Sequence, residues 1–101
     1  MKRNTALKGF IERFHGILDA FDALDADEER EELNAEFEDA IFLLECVNPE
    51  DAEADEEIEG ALDEIDALCG DYHSVAGKDP DVLEIARQME MASRMARQNL
   101  L

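Results

Sequence analysis

Leu7, Phe10, Phe14, Ile17, Phe21 and Leu24 recur at spacings of three and four residues, and Ile11 and Leu18 widen the same stripe. An α-helix advances by about 100° per residue, so this spacing gathers the apolar side chains on one face. A first helix is expected from about Thr5 to Leu24, with Asn4 as its cap. A second stripe follows in Leu33, Phe37, Ala40, Ile41, Leu44 and Val47. A third runs through Ile58, Ala61, Leu62, Ile65, Leu68, Cys69, Tyr72 and Ala76. The fourth holds Val82, Ile85, Met89, Ala92 and Ala96, with Leu83, Met91, Met95 and Leu100 as further apolar groups. Methionines in such a stripe are expected chiefly to fill irregular core space, and Tyr72 to sit at a bundle edge with a wet hydroxyl.

The polar punctuation separates these stripes. Around Asp25 to Asp27 aspartates can accept free backbone N–H groups, and Glu28 and Glu29 then lie at the positive end of the next helix dipole. Asn48 and Pro49 stop the second helix, and the third begins between Pro49 and Asp55. Gly77 suits a positive-φ C-terminal position. Asp79 followed by Pro80 signals a new start, because the carboxylate caps and the proline has no N–H to leave unpaired in the first turn. No strand alternation and no internal repeat appears. Four amphipathic helices with short connections predict an all-α fold, a small antiparallel bundle of about four helices forming one domain over residues 1–101. The alternative is a pair of hairpins whose core is completed by a second copy in a homodimer.

Charge changes this picture more than any motif does. The formal net charge is −19 for 101 residues, yet 46% of them are hydrophobic. A disordered acidic tail lacks the apolar groups that offset ordering entropy, so the chain is expected to fold. Residues 1–18 carry Lys2, Arg3, Lys8 and Arg13 against Glu12, a net +3, and residues 82–101 carry a net +1. The middle, residues 19–81, holds 25 acidic groups against Arg30 and Lys78. In an up-and-down bundle both basic termini share an end with the turn near residue 50, where they are expected to offset Glu50, Asp51, Glu53, Asp55, Glu56 and Glu57. Further along, Glu29, Glu32, Glu36 and Asp39 form one expected row of outward carboxylates, and Glu56, Glu59, Asp63 and Asp66 form another. Within a row, neighbours lie roughly 5 Å apart along the helix axis.

Chemistry explains this pattern poorly. With 28 acidic residues a carboxylate pair carries little information, and no pattern marks the pocket that acid–base catalysis needs. Glu12 and His15 have Glu-x-x-His spacing, but His73 follows Cys69 and Gly70, so the second half of a di-metal bundle motif is missing. Asp22, Asp25, Asp27 and Glu29 resemble a calcium loop only superficially, since Arg30 stands where the turn glycine belongs. No phosphate-binding glycine loop, zinc array or nucleophilic triad is present. Cys46 and Cys69, on antiparallel neighbours, would lie about 20 Å apart along the axis, too far for a disulfide, and read as apolar side chains. No catalytic residue, metal or cofactor is therefore expected. No apolar run approaches the roughly 20 residues of a membrane span and no leader pattern opens the chain, so the cytoplasm is the expected location.

What remains is binding. Two parallel carboxylate rows present a negative field on the scale of a nucleic acid and suit the basic groove of a DNA-binding protein. Direct binding to DNA or RNA is not expected, because surfaces of the same sign repel. In the second helix Phe42 lies nearly opposite the stripe of Leu33, Phe37, Ile41 and Leu44. It is buried in the bundle or a homodimer, or it is an apolar anchor inside the acidic contact surface. Size and charge resemble those of small acidic mimics carried by phages and mobile elements against restriction, CRISPR or repair proteins. That resemblance spans the whole chain, carries no residue motif, and implies a DNA-mimic inhibitor. A helical adaptor for some other basic protein is the alternative, and solvated charge that merely aids solubility explains the composition without a partner.

Overall fold

The computed structural model describes residues 3–24, 28–77 and 79–101, and their side chains except at 3, 4, 28–30, 75 and 76. The four apolar stripes become four helices: α1 (Arg3–Asp22), α2 (Glu28–Glu45), α3 (Ala54–Ala76) and α4 (Pro80–Leu100). Each packs on its neighbour in the chain, and α1 closes the ring against α4. The result is an antiparallel bundle of 41 × 20 × 19 Å.

The helix ends follow local chemistry. Asn48 turns the chain after α2, its side-chain oxygen accepting from the Glu50 N–H at 3.1 Å while its carbonyl accepts from Asp51. Gly77 leaves α3 with φ of +57°, a conformation that costs glycine little. Asp79 caps α4 by accepting from the Asp81 N–H at 3.0 Å, with Pro80 in the first turn. At the other end α1 already begins at Arg3, so Asn4 stands inside the first turn instead of capping it. The turn expected at Asp25 to Asp27 lies outside the described residues.

The core is organised around aromatic rings from three helices. Phe14 on α1 meets Phe37 on α2 edge-on, with ring centres 6.1 Å apart. Phe37 in turn meets Tyr72 on α3 at 6.3 Å, and Tyr72 meets Phe21 on α1 at 4.7 Å. All four rings are buried. Such edge-to-face contacts bring the positive ring edge to the negative ring face and add to the burial of large apolar area. Against these rings α4 buries four small residues, Ala86, Ala92, Ser93 and Ala96, alongside the larger Val82, Ile85, Met89 and Leu100.

Tyr72 and two methionines also depart from their expected places. Tyr72 is not a wet edge residue: it is fully buried, and its hydroxyl has no hydrogen-bond partner among the described residues. It lies in the last turns of the α3 stripe, where Phe21 of α1 and Phe37 of α2 pack against it and leave no wet edge. Of the methionines expected in the core, only Met89 is buried, whereas Met91 and Met95 are exposed. Met91 follows Met89 by two residues, a rotation of about 200° that turns it to the outside.

Tyr72→Phe removes an unpartnered buried hydroxyl while keeping the ring, and is expected to hold or raise stability by up to about 1 kcal/mol in urea unfolding. Phe37→Ala is expected to cost about 3–5 kcal/mol in the same measurement. Burial raises the Tyr72 phenol well above its usual range. Burial, reinforced by Asp66 and Glu90, pushes the Cys69 thiol up to about 12 from 9.0. Both groups favour their neutral forms in the folded state, so the stability they contribute is complete below the unfolded pKa values and is lost as pH rises beyond them. Thermal melts should therefore weaken from about pH 9 upward, and Cys69→Ala combined with Tyr72→Phe should flatten that decline.

Candidate functional site

The α2 surface carries its acids where the helical period places them. Glu32, Glu36 and Asp39 are all exposed, one turn after another along a single edge. The side chain of Glu29, first in the expected row, lies outside the described residues. The next turn brings Phe42, 60% exposed, and Leu43, 48% exposed, followed by exposed Cys46. Phe42 is thus not buried within this bundle: it faces away from the Phe37 and Ile41 stripe, as its register dictates. Leu43 is rotated by about 100° from Phe42, toward α3. Both cysteines are free; Cys69 is an apolar core group, but Cys46 is on the surface.

On α3 the expected row divides. Asp66 faces α4, where its carboxylate accepts from the Ser93 hydroxyl at 2.7 Å and from Arg97 at 2.8 Å. The same guanidinium reaches Asp63 at 2.6 Å. Hydrogen bonding to Asp66 first, and to Asp63, raises the Arg97 pKa still further above its ordinary value. Glu59 precedes Asp66 by seven residues and so shares its side of the helix. The basic C-terminal helix thus offsets charge at Asp63 and Asp66, further along α3 than the cluster at residues 50–57. Two members of the expected contact row are paired with Arg97 across the exposed α3–α4 boundary, which corrects their reading as uncompensated carboxylates.

The edge of α3 that faces α2 is a different set: Glu57, Gly60, Glu64, Ala67 and Asp71. The signal was in the sequence, since Glu57, Glu64 and Asp71 are spaced by seven and the small residues Gly60 and Ala67 are interleaved at the same spacing.

These two edges enclose a groove. One stretch is lined by Glu36, Asp39, Phe42, Leu43, Glu64 and Asp71 over a floor of Ala40, Ala67 and Leu68. The next is lined by Leu43, Cys46, Glu56, Glu57, Gly60 and Glu64, with Ala61 beneath. They share Leu43 and Glu64, and each encloses about 420 Å³. Among the described residues no Lys, Arg or His lines either stretch. Of the expected partner-binding residues, the groove therefore collects Glu36, Asp39, Phe42 and Glu56, with Glu32 one turn beyond its end.

The other faces differ. The α3–α4 hollow mixes Asp66 and Glu90 with His73, Arg94 and Arg97, so its charges are partly matched from within. The α1–α4 hollow is chiefly apolar around Phe10 and Met95, with Arg13 donating to the Met95 sulfur at 3.6 Å. His15, half of the Glu-x-x-His pattern, instead crosses to Glu45 on α2 at 2.5 Å. Among the described residues no three His, Cys, Asp or Glu side chains are grouped as a metal site. No described helix is long and apolar enough to cross a membrane.

In comparisons with known proteins, no family model, no curated protein and no solved structure matches the chain.

Arg97→Gln is expected to lower stability by about 1 kcal/mol at low salt, and by less at about 0.5 M, where the partly exposed ion pairs are screened. Urea unfolding at the two salt concentrations measures this. The same substitution should leave any association through the α2–α3 face essentially unchanged.

Proposed function

We propose that this chain is an acidic protein-binding domain whose α2–α3 face occupies the basic nucleic-acid-binding groove of a target protein, acting as a DNA-mimic inhibitor and not as an enzyme. The observation that carries this reading is the groove itself, with carboxylates on both rims and no cation among the described residues that line it. A solubility role needs scattered charge; it does not need acids aligned along two facing edges.

Charge density supports the same reading. The net charge of −19 spread along the 41 Å axis amounts to one charge per about 2.2 Å, against one per about 1.7 Å of duplex DNA. A basic groove that binds a duplex meets a comparable field on this protein. Flexible Lys and Arg side chains can adapt to carboxylates placed at helical intervals, so phosphate spacing need not be copied atom for atom. Exposed Phe42 adds a feature that a phosphate backbone lacks. Its desolvation on binding favours slow dissociation, while the surrounding acids steer approach and repel acidic competitors. The target belongs to the DNA-handling or defence proteins, such as restriction, CRISPR or repair factors, whose grooves have the required charge.

One observation favours a second reading. The apolar floor and the exposed Phe42 and Leu43 also suit a helical adaptor that binds a basic protein at a surface other than its nucleic-acid site. Competition separates the two. Proteins captured on the immobilised chain should be released by excess duplex DNA and by rising salt if the chain is a mimic. Retention that excess DNA does not affect would sink mimicry and leave the adaptor.

With a captured target in hand, the combined change Glu36→Gln, Asp39→Asn, Glu64→Gln and Asp71→Asn should slow association about tenfold at low salt. Phe42→Ala should chiefly speed dissociation. The pair Glu12→Gln and Asp19→Asn, exposed on the side of α1 opposite its apolar stripe, should change neither rate appreciably in surface plasmon resonance.

A further inference from the structure

The α2–α3 face is acidic at its rims but apolar along its floor, and the two together specify more than a basic partner. We infer that the groove receives a cationic amphipathic α-helix of the partner, its apolar stripe seated on Phe42 and Leu43 and its Lys and Arg side chains reaching the carboxylates on either rim. This inference rests on the protein-binding reading of the face and names the element that the face recognises.

Geometry favours a helix. On α3 the groove runs from Glu57 to Asp71, about 21 Å at 1.5 Å per residue, enough for about four turns of a third helix. Helices pack with axes about 8–10 Å apart, which requires small groups where backbones approach. Gly60 and Ala67 supply them two turns apart on the α3 edge, and a Cβ placed on Gly60 would meet nothing within 4 Å. An amphipathic helix lays residues i, i+3, i+4 and i+7 along such a floor. Its flanking cations then fall alongside Glu36 and Asp39 on one rim and Glu57, Glu64 and Asp71 on the other. Charge also chooses between occupants. A second copy of this chain seated face to face would set acidic rims against acidic rims, and the apolar floor would have to overcome that repulsion. A cationic helix satisfies floor and rims together.

The test uses two synthetic peptides of about 18 residues with the same Lys and Leu content, one with leucines at helical spacing and one scrambled to break that face. Fluorescence anisotropy at about 150 mM salt should show the amphipathic peptide binding about tenfold or more tightly than its isomer. Phe42→Ala with Leu43→Ala should erase that preference while leaving the weaker, salt-sensitive binding of both peptides. Gly60→Leu places a side chain in the open groove, and should weaken the amphipathic peptide about tenfold while melting temperature holds or rises, because leucine favours a helix interior over glycine. Equal affinity for the two peptides would overturn the inference yet leave the acidic face standing as a mimic. Failure of both peptides to bind would remove the basic-partner reading along with it. A concentration-dependent dimer that Phe42→Ala abolishes in sedimentation would also overturn it, by assigning the groove to a second copy.

Discussion

Edge-to-face contact among Phe14, Phe37, Tyr72 and Phe21 ties α1, α2 and α3 together in the bundle interior, and it does so against electrostatic opposition. The α2 and α3 segments hold sixteen of the 28 acidic residues, and Arg30 is the only Lys or Arg in either segment. Short connections make these two helices neighbours, so the fold brings like charges onto adjacent surfaces. Self-repulsion of this kind destabilises a compact state, and burial of the apolar core, with these rings among its largest members, is the principal favourable term available to set against it. The acids can stay on the outside because the rings hold the inside.

That arrangement gives the two edges of α3 different roles. Toward α4, Asp63 and Asp66 meet Arg97 and Asp66 also meets Ser93, so carboxylates on this side are used to join helices. Toward α2, Glu57, Glu64 and Asp71 face the edge of Glu36 and Asp39 across an apolar floor. A single helix thus separates structural acids from acids available to a partner. The basic residues of α4 are directed to one side, and the face left without cations among its described lining is the one that also exposes Phe42 and Leu43.

Salt acts on these layers in opposite directions. Screening relieves the repulsion between α2 and α3 and so favours the bundle, but it weakens the Arg97 ion pairs and the attraction of any basic partner. The buried aromatic contacts respond little, since they are not governed by net charge. Fold and surface field are therefore separable in this protein: the first is anchored in buried apolar contact, and the second in exposed carboxylates that salt screens.

The sequence by itself determined the four helices, because apolar residues at spacings of three and four admit only one buried face per helix. It also determined the cap at Asp79 and the stops at Asn48 and Gly77, which depend on local hydrogen bonding and on glycine at positive φ. It showed that Phe42 stands opposite the α2 stripe, a matter of angle alone. Only the tertiary structure decided which neighbour each edge faces. The period of a helix gives rotation about its own axis but not the direction of the next helix, so it could not show that Asp63 and Asp66 turn to Arg97 while Glu57, Glu64 and Asp71 turn to α2. For the same reason Tyr72, placed on its stripe by sequence, proved to be a central ring once Phe21 and Phe37 converged on it from two other helices.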